Sequence, residues 1–178
     1  MKQTISVIVI IFLAASLANA QYKVVPNMPF STLNSNPGFI TINEVTYGLG
    51  LSGTTAPFSK NFFGFTSVNG YQVNRNFIFA AGTGLYFYES GLLVPLFLDI
   101  RFSFYINRLT PYVFGDGGLL INVSDLNSTK LFINPGIGAR YTFSRNVAID
   151  LGAGIHSQVD GTVRESFLNL KLGMVYKF

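Results

Sequence analysis

The sequence has no cysteine, no tryptophan and one histidine among 178 residues. Without cysteine there is no disulfide framework and no lipid-attachment thiol. With only one histidine, a structural zinc site has little support as well. Charge is also scarce: Asp, Glu, Lys and Arg make up 11% of the chain, against about 25% in an ordinary soluble domain. The 12 Lys and Arg and 8 Asp and Glu leave a net charge of +4, with no basic cluster. Nucleic-acid binding therefore has little support. Beyond the first twenty residues no apolar run approaches the length of a membrane-spanning helix. Yet 49% of residues are hydrophobic and the mean hydropathy is +0.39. A chain too apolar for water, without a helix to span lipid, is left with a closed β-barrel, in which every backbone group is paired.

The N-terminus is read apart from the rest. Lys2 precedes the apolar run "ISVIVIIFLAASL", and Ala18-Asn19-Ala20 supplies small residues at a cleavage position. Residues 1–20 are thus expected to be a secretory signal peptide. Residues 21–38 carry three prolines and no periodicity. They are expected to form an extended N-terminal segment.

From residue 39 to 178 alternation recurs between turn signals. Eight strands are predicted at about 39–52, 62–73, 76–88, 93–107, 110–122, 131–143, 147–158 and 166–178. The connections after the even strands are tight ("VNRN", "NRLT", "SRN"). Those after the odd strands are mostly longer and polar, as in "GTTAPFSKN" and "NVSDLNSTK". The expected fold is all-β, an eight-stranded antiparallel up-and-down transmembrane barrel with short turns on the periplasmic side.

Parity separates the faces of most strands. Strand seven sets Val147, Ile149, Leu151 and Ile155 against Asp150, Gly152, Gly154 and His156. Strand four sets Leu96, Leu98, Ile100 and Phe102 against Asp99, Arg101 and Ser103. The face of small residues and single charges suits a narrow barrel interior, which leaves the apolar face for lipid. Strand two does not separate. The inward face collects Glu44, Asp99, Arg101, Asp116, Arg140, Asp150 and Lys171. A two-residue turn at Arg108-Leu109 would set Arg101 opposite Asp116. A three-residue turn at Ser144-Arg145-Asn146 would set Arg140 opposite Asp150. Lys171 is placed within reach of Asp150, and Glu44 within reach of Lys171 across the closing seam. Tyr105, Tyr112, Tyr141 and Tyr176 lie near strand ends and suit an interfacial girdle.

The terminal stretch "LKLGMVYKF" ends the chain at full apolar strength. Its spacing of Lys171, Gly173, Tyr176 and Phe178 resembles the C-terminal signal of outer-membrane barrels. The chain as a whole resembles small eight-stranded proteins of the OmpA/OmpX kind, and more closely the outer membrane protein beta-barrel families of Bacteroidetes. That resemblance implies residence in a Gram-negative outer membrane among lipid and lipopolysaccharide, and recognition by the barrel-assembly machinery. It also implies a structural or surface-interaction role with an envelope or surface protein partner. Outer-membrane lipid A deacylases, the alternative, use a His and a Ser two residues apart. Here the residue two beyond His156 is Gln158, and Ser157 falls on the other face. No catalytic residue is therefore expected. An open pore is also disfavoured, since eight strands enclose only enough space for their own side chains. The glycine runs "GLGLSG" and "GDGG" match no phosphate-binding fingerprint, and no cofactor is expected.

Overall fold

The computed structural model describes residues 33, 36–51, 60–89, 91–104, 108–123, 129–160 and 163–178. Residues 1–20, where a signal peptide is expected, most of residues 21–38, Tyr105 and the tips of the longer loops lie outside the described residues. Eight strands follow one another: β1 Gly38–Gly50, β2 Asn61–Gln72, β3 Phe77–Tyr88, β4 Gly91–Ser103, β5 Leu109–Asn122, β6 Lys130–Thr142, β7 Val147–Asp160 and β8 Val163–Lys177. Each pairs antiparallel with the next, and β8 pairs back onto β1 to close the barrel. Partner to partner from Gly38, through Gln72, Ile78, Arg101, Phe114, Gly136, Gly154 and Asn169, the path returns to β1 at Gly48, ten residues farther on. Such a stagger accompanies strands tilted about 35–45°. Strands of this length then rise roughly 30 Å, the thickness of a hydrocarbon core.

Alternation dictates the two faces. Leu98, Ile133, Ile137, Leu151, Leu172 and Met174 point out, each more than half exposed, while the residues between them are mostly buried. The turns are set by local polar chemistry. In the β2–β3 turn the Asn74 side-chain oxygen accepts the N–H groups of Asn76 and Phe77, both at 2.9 Å. In the β6–β7 turn the Ser144 hydroxyl accepts from Asn146 and Val147 at 3.3 and 3.2 Å. Such caps are the usual role of Asn and Ser at turns. Phe143 bonds Val147, and Arg140 stands opposite Asp150, so the register of this hairpin follows from its three-residue turn.

The β4–β5 hairpin differs from the expectation by two residues. Asp99 lies opposite Asp116, and Arg101 lies opposite Phe114 rather than Asp116. The Phe104 N–H donates to the Pro111 carbonyl, while Leu109 and Thr110 pair only with β6. A two-residue hairpin turn needs positive φ, which Gly and Asn adopt and an Arg-Leu pair does not, so the connection is longer. A shift of two keeps every side chain on its face, and both charges remain inside.

Candidate functional site

The seven inward charges expected from the sequence come from six strands: Glu44 from β1, Asp99 and Arg101 from β4, Asp116 from β5, Arg140 from β6, Asp150 from β7 and Lys171 from β8. All are at most 5% exposed. Arg101 is their centre. Its Nη2 donates to Glu44 Oε1 at 2.7 Å and to Asp99 Oδ2 at 2.7 Å, and its Nη1 donates to Asp150 Oδ2 at 2.9 Å. Arg140 grips the same Asp150 with a two-pronged bond, Nε to Oδ1 and Nη2 to Oδ2, both 2.7 Å. Lys171 Nζ lies 2.5 Å from Asp116 Oδ2 and 3.3 Å from Glu44 Oε2. Its partners are therefore Asp116 and Glu44, not Asp150. The backbone explains this: Lys171 stands opposite Gly152, while Asp150 stands opposite Gly173 and is already occupied by two arginines.

Neutral side chains extend the layer, in which Asp116 Oδ1 and Asn134 Oδ1 are left without a partner. Asn134 donates to Asp116 at 2.8 Å, and Thr66 donates to Glu44 at 3.5 Å. The Tyr112 ring lies between the guanidinium groups of Arg101 and Arg140, at 5.6 and 5.7 Å, and Lys171 sits 4.8 Å over the Phe114 ring. Cations over aromatic faces gain energy when kept from water. Tyr112 is thus an interior residue, 2% exposed, and not part of a girdle. Its place two residues before Phe114 and four before Asp116 puts it on the inward parity of β5. Tyr141 and Tyr176 do point out near the turn end, beside Phe143 and Phe178. The tail residues serve this layer too. Gly173 lies between Glu44 and Asp150 on the neighbouring strands, and a Cβ there would press on the Glu44 Cγ at 3.1 Å.

Toward the longer loops the interior changes character. Phe62, Tyr86, Tyr88, Phe97, Phe132 and Phe167 form an aromatic layer around His156. His156 is fully buried, stacked on Phe132 at 4.9 Å, and neither ring nitrogen has a hydrogen-bond partner. Ser157 bonds Ser166 at 3.0 Å instead. Inward aromatics here and below face glycine directly across the sheet: Phe62 opposite Gly48, Tyr86 opposite Gly64, Phe97 opposite Gly82, Phe114 opposite Gly136 and Tyr112 opposite Gly138. A Cβ at any of these glycines would overlap the ring. Large and small residues alternate because the narrow lumen has room for one ring per pair. Near the loop rim, Gln158 donates to Glu165 at 2.5 Å, and Lys130 lies 3.6 Å from Glu165.

The geometry defines a class: small eight-stranded antiparallel barrels with an apolar outer wall and a polar, packed interior. Among solved structures the chain is similar to Neisserial surface protein A (NspA), at 18% identity and a TM-score of 0.62, covering 80% of this chain and 99% of that one. It is similar to a structure from the de novo design of transmembrane beta-barrels, at 21% identity and a TM-score of 0.50, covering 82% and 100%. It is also similar to the N-terminal beta-barrel domain of Pseudomonas aeruginosa OprF, at 17% identity and a TM-score of 0.48, covering 79% and 100%. At these identities the likeness is one of fold. No protein-family model matches the chain, and no curated protein does.

Proposed function

We propose that the protein is an integral outer-membrane barrel with a structural or surface-interaction role and an interior closed to ions. The observation that carries this reading is the inverted wall: large apolar side chains outside, and a network of buried, paired charges inside. No water-soluble barrel gains from that arrangement, whereas a lipid-facing one requires it. The barrel is of the OmpA/OmpX and Bacteroidetes kind, exported by its signal peptide, with both termini in the periplasm. Its partners are membrane lipid, lipopolysaccharide, the assembly machinery during biogenesis, and an envelope or surface protein at the loops. No nucleic acid or cofactor is involved. The deacylase alternative needs a nucleophile at His156, and the surroundings of that ring are aromatic.

Fractionation tests the reading: a heat-modifiable band in the outer membrane is expected, and a soluble periplasmic product would overturn it. An epitope inserted near Ser128 should be accessible on intact cells, and one near Arg145 should not. Liposomes carrying the protein should show no conductance, and lipid A from a deletion strain should keep its mass. Phe178 ends the chain 70% exposed, and as the terminus of the assembly signal it should not tolerate charge. Phe178→Asp is expected to lower the folded band, since it removes the terminal aromatic of that signal and puts charge on a lipid-facing strand, which costs about 2–4 kcal/mol at mid-membrane and less near the interface.

A further inference from the structure

One part of the outer wall breaks the apolar pattern. On β1, β2 and β3 six contiguous outward positions are occupied by Thr41 and Asn43, Asn69 and Ser67, and Ala81 and Thr83, paired side by side in register. None is large and apolar. The island is bordered on every side by large apolar side chains. Phe39, Tyr71 and Phe79 form the row toward the turns, and Val45, Phe65 and Leu85 the row toward the loops. Tyr176 and Met174 flank it on β8, and Leu98 and Leu96 on β4. It therefore sits at the depth of the acyl chains, not of the headgroups.

Its hydrogen bonding is incomplete. Thr41 donates to Asn69 at 2.8 Å, and Asn69 donates one N–H to Ser67 at 3.2 Å. Asn69 keeps a second N–H, and the exposed Asn43 amide has no partner among the described residues. A primary amide carries two donors and an acceptor with two lone pairs. In hydrocarbon an unmet group of this kind costs several kcal/mol. A shallow, open depression lies beside Asn43, Ser67 and Thr83, with Phe65 and Leu85 at its edge.

We propose that this island is an in-plane docking surface for a second copy of the chain. It rests on the membrane reading above, because only in lipid does an unmet outward amide demand a partner. Small residues allow close approach, and Asn, Ser and Thr bond across protein contacts in lipid. The patch is uncharged, and each of its five polar side chains can both donate and accept. A two-fold axis along the membrane normal therefore matches it to itself, as an isologous dimer requires. A headgroup would find no charge here and lies at the wrong depth.

The chain has no cysteine, so single reporters are unambiguous. Ser67→Cys, with Ala81→Cys as a second reporter in the same patch, and Ile137→Cys on the diametrically opposed β6 are oxidised in native outer membranes. Each is co-expressed in two differently tagged forms. The expected result is a product of twice the mass carrying both tags, at least about tenfold more abundant from the patch than from Ile137→Cys. Adding Asn43→Leu and Asn69→Leu should lower it about tenfold while the heat-modifiable folded band persists. Equal yields from both faces, or a patch product of another mass lacking the second tag, would overturn the proposal and leave the membrane reading standing. Absence of the unmodified barrel from the outer membrane would overturn both.

Discussion

The lumen holds two layers built on opposite principles. Toward the turns, Arg101, Arg140 and Lys171 are matched to Glu44, Asp99, Asp116 and Asp150 by directed bonds from named atoms. Toward the loops, His156 sits among rings with no bond to either nitrogen. Identity matters in the first layer and volume in the second. A buried ionic network adds little net stability over an apolar core, but losing one member strands its partners. An aromatic layer over glycines is sensitive to added bulk and indifferent to the loss of an unmatched polar atom.

Substitutions divide the layers accordingly. Arg101→Met leaves three carboxylates without their shared donor, and is expected to cost at least about 3–5 kcal/mol, read as a large fall in the urea midpoint in detergent. Arg140→Met should cost less, about 1.5–3 kcal/mol, because Asp150 keeps its bond from Arg101. A midpoint for Arg140→Met lower than for Arg101→Met would contradict the central place given to Arg101. In the other layer, Gly64→Ala forces the Tyr86 ring from its place and should cost about 1–3 kcal/mol without changing any charge. His156→Leu has the smallest expected effect and the opposite sign: removal of two unmet nitrogens should leave the midpoint unchanged or raise it by about 1 kcal/mol. A loss of several kcal/mol there would mean that the histidine has a partner and that the two layers follow one principle.

What was legible in the sequence follows the same division. Apart from Arg164 at the loop end of β8, the charges on the strands mark the inward parity, so the faces of β4, β6, β7 and β8 could be read, and with them the members of the ionic layer. The β6–β7 register was legible because Ser144 and its neighbours fit one turn. The β4–β5 register was not, because an Arg-Leu pair gives no indication of how many residues the chain needs to reverse. The aromatic layer was hidden, since phenylalanine serves both lipid and lumen: Phe62 points in and Phe63 points out. Tyr112 was misplaced for the same reason. Strand two resisted assignment because its outward face carries Ser67 and Asn69, where alternation predicts apolar residues. Its ambiguity was a property of the surface itself, and that surface is the proposed docking island.

The account turns on which face of the sheet meets lipid, and one measurement addresses it directly. The chain has no tryptophan, so Ile137→Trp, at an outward position 67% exposed, provides a single fluorophore. In bilayers its emission should be blue-shifted and strongly quenched by lipids brominated on their acyl chains, with aqueous iodide ineffective. Quenching by iodide, with brominated lipid having no effect, would place this wall in water and contradict the account.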